Sequence, residues 1–178
     1  PSVITATAAV TSNYNGSQIS CNGASDGRIT VSASGGTGVL SYALVEIPGN
    51  TSGAITGVFT GLPAGTYTFT VTDKNGCNTT TAPVTITPPP ALTLIVNVTS
   101  NYNGEDISCF GASDGRAQAV AGGGTGVYFY SWYSDAAMTI PIGQLTPDAI
   151  NLATGDYFMK VMDINGCMIT GSVILTQP

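Results

Sequence analysis

Apolar and polar residues alternate over short stretches along almost the whole chain. Residues 28–33 read Arg-Ile-Thr-Val-Ser-Ala, and residues 66–72 place Tyr, Phe and Val between threonines. Alternation with a period of two is typical of a strand that buries one face, whereas an amphipathic helix needs apolar residues three or four positions apart. Turn sequences rich in Gly, Asn and Asp separate these stretches. The pattern therefore predicts an all-β chain of short strands.

One stretch of the chain occurs twice. Residues 11–28 return as residues 99–116, and fifteen of the eighteen positions are identical. Such close copying of a long segment predicts two copies of one unit, with domains at residues 1–89 and 90–178. Three consecutive prolines, residues 88–90, mark the boundary between the units and favour a stiff polyproline II joint. Because the second unit ends in Gln-Pro much as the first ends in Pro-Pro, we expect further repeats in the parent protein.

The strand count and the turns of each unit predict two tandem immunoglobulin-like antiparallel β-sandwich domains. Six or seven short strands per unit fit that fold, and the sequence Leu-x-x-Gly-x-Tyr predicts a tyrosine corner in both units. Alternation also predicts which side chains face the core. Large residues on one strand of the second unit offset small residues on the facing strand, as a constant core volume requires. The residues predicted to face each other are Tyr128, Tyr130 and Trp132 against Ala117, Ala119 and Ala121, and Leu40, Tyr42 and Leu44 against Ile29, Val31 and Ala33.

The charge of the chain argues against several partners. The net charge is −6, with only four Lys and Arg residues, and these do not cluster. A nucleic-acid interface needs clustered cations, so we expect no nucleic acid as a partner. No apolar run approaches the length of a membrane span, and we expect no membrane insertion. The chain has no histidine and no Ser or Cys nucleophile beside a base, so we expect no enzyme activity.

The four cysteines fall two in each unit, at matching places. They form no Cys-x-x-Cys pair, and without histidine a zinc site is not expected. We predict one disulfide in each domain and hence an oxidising, extracellular setting; buried free thiols are the alternative. The cysteines of one unit are 56 or 58 positions apart, and closing such a loop would contribute roughly 4 kcal/mol in the chain-entropy model. The predicted pairs are Cys21–Cys77 and Cys109–Cys167.

Two aspartate positions recur beside the cysteines of both units. If the predicted disulfides form, the two aspartates of a unit converge, and carboxylate oxygens are ligands for Ca²⁺. A weak calcium site is therefore one hypothesis, and no other cofactor is expected. The alternative, which we favour, is that these side chains cap turns by accepting backbone N–H bonds. The candidate ligands are Asp26 and Asp73 in the first unit and Asp114 and Asp163 in the second.

The outward face of two central strands differs between the units. In the first unit the outward positions are small or polar, whereas the second unit places apolar and aromatic residues there. An exposed apolar patch of this kind marks a contact surface, and aromatic rings could stack on sugars of a surface polysaccharide. The alternative is that the loop at residues 134–151 covers these side chains. The candidate binding face consists of Phe129, Tyr133, Phe158 and Met162.

Several short motifs recur in both units in the same order. They are Ile-Ser-Cys, Asp-Gly, Gly-Gly, Gly-x-Tyr and Asp-x-Asn-Gly-Cys, at residues 19–21, 26–27, 35–36, 65–67 and 73–77 and again at 107–109, 114–115, 122–123, 155–157 and 163–167. Together they resemble the SprB repeat of gliding-motility adhesins, very large surface proteins of gliding bacteria. One departure is Leu44, which stands where the pattern often carries Trp.

The resemblance implies a non-catalytic repeat module of a large adhesin. Such repeats imply type IX secretion, an extracellular location on the bacterial cell surface, and cell adhesion during gliding motility. The implied partners are a surface polysaccharide or an abiotic surface, with neighbouring repeats of the same chain on either side. The module would also serve as a stalk segment. The alternative function is a carbohydrate-binding module of a secreted polysaccharide-degrading protein.

Overall fold

A computed structural model describes residues 2–178 of the chain. The regular structure of these residues consists of fourteen β-strands and no helix. The strands of the first half are β1 (Ser2–Val10), β2 (Gly27–Gly36), β3 (Ser41–Leu44), β4 (Val58–Leu62), β5 (Gly65–Tyr67), β6 (Phe69–Thr72), β7 (Asn78–Thr80) and β8 (Val84–Ile86). Those of the second half are β9 (Thr93–Val98), β10 (Gly115–Gly122), β11 (Tyr128–Tyr133), β12 (Asp148–Leu152), β13 (Gly155–Asp163) and β14 (Met168–Leu175).

The chain divides into two compact units, Pro1–Pro89 and Pro90–Pro178. The first unit pairs β1-β2-β4 in one sheet and β3-β6-β7 in another, with a short β5-β8 pair beside them. The second unit pairs β9-β10-β12 and β11-β13-β14. Every strand pairing is antiparallel. This strand order corresponds to strands A, B and E of an immunoglobulin-like sandwich facing strands C, F and G.

Each unit has its own hydrophobic core between its two sheets. In the first unit the rings of Phe59 on β4 and Phe69 on β6 meet across the core with centroids 4.8 Å apart. In the second unit Trp132 on β11 is fully buried and packs with Met159 on β13 and with small residues of β10 and β12. The predicted facing is confirmed, because the inward residues named from the sequence all belong to or pack against these clusters.

The repeated segment, residues 11–28 and 99–116, packs against the core of its unit just before the second strand. Ile19 and Ile107 are fully buried. The Tyr14 hydroxyl donates to the Asp26 carbonyl oxygen at 3.0 Å, and Tyr102 makes the same bond to Asp114 at 3.1 Å. The predicted tyrosine corners are also present: the hydroxyl of Tyr67 donates to the Pro63 carbonyl oxygen at 2.7 Å, and that of Tyr157 donates to the Ala153 carbonyl oxygen at 3.2 Å.

The predicted disulfides Cys21–Cys77 and Cys109–Cys167 are wrong. Cys77 and Cys109 are exposed free thiols, and the cysteines in disulfide linkage are Cys21 and Cys167. The strand geometry of the first unit explains why its two cysteines do not meet. Cys21 precedes β2, and the ten residues of β2 span about 30 Å.

Cys77 lies at the opposite end of β2 from Cys21. Its backbone N–H donates to the Asp73 carboxylate, which also accepts the N–H of Thr37, the residue that follows β2. A disulfide needs Cα atoms roughly 4.4–6.8 Å apart. The second unit repeats this arrangement around β10, since the Asp163 carboxylate accepts the N–H groups of Thr125 and Cys167.

Candidate binding face

An apolar row crosses all three strands of one sheet in the second unit. Phe129 on β11 pairs directly with Met162 on β13, and Met162 pairs with Met168 on β14. These side chains point away from the core, and their exposed fractions are 52%, 37% and 65%. We call the three residues the Phe–Met–Met row. Three large apolar side chains aligned on an exposed sheet form the kind of patch that marks a contact surface.

A second set of large residues lies four positions further along the same strands. Tyr133 pairs with Phe158, and both side chains are half-buried. Between this pair and the Phe–Met–Met row lies Lys160, whose Nζ atom is 5.4 Å from the centre of the Tyr133 ring. A cation over an aromatic face at this distance is attracted by the ring electrons. The face therefore combines an exposed apolar row with one positively charged side chain.

The long loop of the second unit does not cover the apolar row. Its residues run along the free edge of β11: the Trp132 N–H donates to the Gln144 carbonyl oxygen at 3.2 Å, and the Ile142 N–H donates to the Trp132 carbonyl oxygen at 3.0 Å. The indole Nε1–H donates to the Thr146 carbonyl oxygen at 3.0 Å. The loop thus provides hydrogen-bond partners for Trp132 at the edge of the sheet. It does not cover the outward face, where Phe129 stays half-exposed.

The first unit has a polar row at the equivalent place. Ser41 pairs with Thr72, and Thr72 pairs with Asn78. The same backbone therefore carries Ser, Thr and Asn in one unit and Phe, Met and Met in the other. Since both sets are compatible with one fold, the difference is not required for folding, and the first unit provides a natural control for the second.

The sequence located part of this face. The structure places all four predicted residues on the outward side of β11 and β13, with Phe129 and Met162 exposed and Tyr133 and Phe158 half-buried. It adds Met168 and, further along β14, Ile174, which is 64% exposed. Alternation along β14 would have found these two residues, because their neighbours Ile169, Val173 and Leu175 face inward.

The two aspartates of a unit do not converge, so the calcium hypothesis, the less favoured of the two, loses its geometric basis. Asp26 precedes β2, where its carboxylate accepts the Ser20 N–H at 3.0 Å, whereas Asp73 lies beyond the other end of β2. Asp114 likewise accepts the Ser108 N–H at 3.2 Å before β10, and Asp163 lies beyond its far end. Among residues 2–178, no group of three or more His, Cys, Asp or Glu side chains is arranged to hold a metal ion.

The carboxylate of Asp73 serves as a turn cap. It is buried, and it accepts the N–H groups of Thr37 at 2.9 Å, Asn75 at 2.9 Å and Cys77 at 3.0 Å. Burial alone would raise the pKa of this carboxyl. The backbone hydrogen bonds lower the pKa by more than burial raises it, so the pKa of Asp73 lies below its usual value. The turn therefore depends on the ionised form of the side chain.

Acid is expected to destabilise the protein in part through Asp73. Because the pKa is lower in the folded state, its stabilisation is complete above the unfolded value of about 4 and is lost as the pH falls through the folded value. Urea unfolding at a series of pH values checks this. Asp73→Asn should be less stable at neutral pH and should lose less stability on acidification, whereas Asp156→Asn, at an exposed position, should match the wild type.

Some acid sensitivity should remain in Asp73→Asn, because the pKa values of Asp114 and Asp135 are also lowered. An unchanged acid response in this variant would contradict the role of Asp73 as an ionised turn cap.

Comparison with known families identifies the repeated segment. The SprB repeat model matches the chain twice, at residues 13–45 and 101–137. Two segments of the chain thus match the SprB repeat. Each match begins in the segment before the second strand of its unit and extends past the Gly-Gly turn to just beyond the third strand. The two matched segments include Cys21 and Cys109, which precede the second strand of each unit, but not Cys77 or Cys167.

No curated protein sequence matches the chain. Among solved structures, it is similar to a C-terminal 282-residue fragment of intimin in complex with the intimin-binding domain of the translocated intimin receptor, at 13% identity and a TM-score of 0.37. That match covers 97% of this chain and 64% of the intimin chain, so this chain spans less than two thirds of it.

Two further structures are similar at the same level. The fibronectin(III)-like modules of Clostridium thermocellum CbhA are 15% identical, with 96% of this chain and 94% of that chain covered and a TM-score of 0.34. Extracellular domains 3–5 of Drosophila OTK are 16% identical, with 93% and 58% covered and a TM-score of 0.34. Likenesses this distant carry nothing about the function of this chain.

Proposed function

We propose that the chain is a non-catalytic repeat module of a large adhesin on the bacterial cell surface, acting in adhesion during gliding motility and as a stalk segment. The SprB repeats support a surface adhesin. The observation that supports a contact role is the exposed Phe–Met–Met row, set against the polar row of the first unit. The proposed occupant of the row is an apolar solid surface.

The size of the row favours weak contacts repeated along an array. Fully burying one large apolar side chain is worth roughly 1.5–3 kcal/mol, so covering the exposed parts of three such residues gains roughly 2–5 kcal/mol. Losses of translational freedom and side-chain entropy reduce that value. One row alone would therefore bind no more tightly than about the millimolar range. Many rows in one filament give avidity, whereas a discrete carbohydrate-binding module needs one stronger site.

The test exchanges the two rows. Phe129→Ser, Met162→Thr and Met168→Asn together place the residues of the first unit on the second unit, and this triple variant should fold, because the first unit carries them on the same sheet. Its adsorption constant on a methyl-terminated monolayer, measured with a quartz crystal microbalance, should fall at least about tenfold, a loss of about 1.4 kcal/mol. Adsorption on a hydroxyl-terminated monolayer should not change.

The reciprocal variant is the matched control. Ser41→Phe, Thr72→Met and Asn78→Met place the apolar row on the first unit and should raise adsorption on the methyl-terminated monolayer. Equal adsorption of the wild type and both variants would overturn the contact role. Micromolar binding to one polysaccharide on a glycan array, without preference for the methyl surface, would instead favour the carbohydrate-binding module.

A further inference from the structure

Each unit carries one cysteine of each of two types. The loop cysteine precedes the second strand and is Cys21 or Cys109; the hairpin cysteine directly precedes β7 or β14 and is Cys77 or Cys167. Cys21 and Cys167 are in disulfide linkage, whereas Cys77 and Cys109 are free and exposed. Both types therefore occur once in linkage and once as a thiol.

The loop cysteine lies at the end of the unit where the chain leaves it. In the first unit the Asn22 side chain, next to Cys21, donates to the Pro89 carbonyl oxygen at 3.0 Å. In the second unit the Gly111 N–H, two residues after Cys109, donates to the Gln177 side chain at 3.1 Å. The loop cysteine is thus a feature of the C-terminal end of the unit.

The hairpin cysteine lies at the end where the chain enters the unit. In the first unit Cys77 lines a shallow groove with Ser2 and Val3. In the second unit the Gly124 N–H donates to the Pro90 carbonyl oxygen at 2.9 Å, next to the Asp163 carboxylate that also accepts the Cys167 N–H. The two cysteine types therefore mark opposite ends of every unit.

We propose that Cys109 of one copy of this chain forms a disulfide with Cys77 of a second copy that follows it head to tail. The separation of the two types within a unit excludes a bond inside the unit. A head-to-tail neighbour brings a hairpin cysteine to the end that carries the loop cysteine. The second observation is that the equivalent residues, Cys21 and Cys167, are already in disulfide linkage.

The bond forms by thiol–disulfide exchange with a small-molecule disulfide such as oxidised glutathione. The thiolate of Cys77 attacks one sulfur of the oxidant and releases one glutathione thiolate. The thiolate of Cys109 then attacks the protein sulfur of the mixed disulfide and releases the second. The two protein thiols lose two protons and two electrons, and the oxidant becomes two molecules of glutathione. The exposure of both thiols allows both attacks.

A tandem fusion of two full chains tests the proposal. Fusing Pro1 directly after Pro178 gives a junction of Thr-Gln-Pro-Pro-Ser, close to the Thr-Pro-Pro-Pro-Ala at residues 87–91. A single chain has two free thiols, so an unlinked fusion would have about four. After oxidation with glutathione, thiol titration should find about two, and peptide mapping should find Cys109 of the first copy linked to Cys77 of the second.

Cys109→Ser in the first copy of the fusion is the control. It should leave about three free thiols and no linked peptide, with an unchanged far-UV circular dichroism spectrum, because the position is exposed. A fusion that keeps four free thiols after oxidation would overturn the proposal. So would a linked peptide that joins Cys77 to Cys77 or Cys109 to Cys109.

Discussion

Replacing Trp132 with alanine is expected to lower the free energy of unfolding of the second unit by about 3–5 kcal/mol. The side chain is fully buried, and its indole N–H donates to the Thr146 carbonyl oxygen. Its neighbours Ala117, Ala119 and Ala149 are too small to fill the cavity. Since small domains are stable by roughly 5–15 kcal/mol, this is a large fraction of the total.

The equivalent position of the first unit supplies a matched control. Leu44 is buried at the same place in the sandwich, and Leu44→Ala should cost about 2–5 kcal/mol in the first unit. Hydrogen exchange followed by mass spectrometry on the intact chain separates the two effects. Trp132→Ala should speed exchange in residues 90–178 and Leu44→Ala in residues 1–89. Loss of less than about 1 kcal/mol in Trp132→Ala would show that the second core does not depend on the indole.

The sequence predicted the inner faces of the sandwich well, because side-chain alternation and burial follow the same period. Large residues on β11 matched with small residues on β10 also predicted correctly that these two strands face each other. In the structure Trp132 is buried against Ala117 and Ala119. The outer face was harder to predict. Met168 and Ile174 lie on a strand that also has Thr170 and Ser172 facing outward, and only the pairing of β14 with β13 aligns Met168 with Met162.

The disulfide error has a different origin. The prediction assumed that two cysteines at matching places in each unit are partners, and it did not trace where the strands place them. In an immunoglobulin-like sandwich the turn between the last two strands lies at the opposite end from the loop between the first two. The predicted topology therefore already separated Cys21 from Cys77. The calcium hypothesis failed for the same reason, because the aspartates could converge only if the predicted disulfides formed.

The recurring Gly-Gly motif gives the second large expected effect. Gly35 has a φ of +86°, and a Cβ atom added there would overlap the carbonyl oxygen of Val3 on β1; Gly123 in the second unit has a φ of +71° and the same conflict with Ala91. An L-residue in the left-handed region costs roughly 1–2 kcal/mol. The overlap with backbone adds to this, since β1 must move away from β2. We expect Gly35→Ala to cost more than about 2 kcal/mol.

Two other glycines separate the contributions to that cost. Gly16 has a φ of +96° but no atom within 4 Å of an added Cβ, and Gly49 has neither a positive φ nor a close neighbour. Denaturant unfolding should therefore rank Gly35→Ala as most destabilising, Gly16→Ala at about 1–2 kcal/mol, and Gly49→Ala within about 0.5 kcal/mol of the wild type. Equal losses of unfolding free energy in Gly35→Ala and Gly16→Ala would show that β1 moves away from the added Cβ atom at no measurable energetic cost. The close approach of β1 would then not explain why this motif recurs in both units.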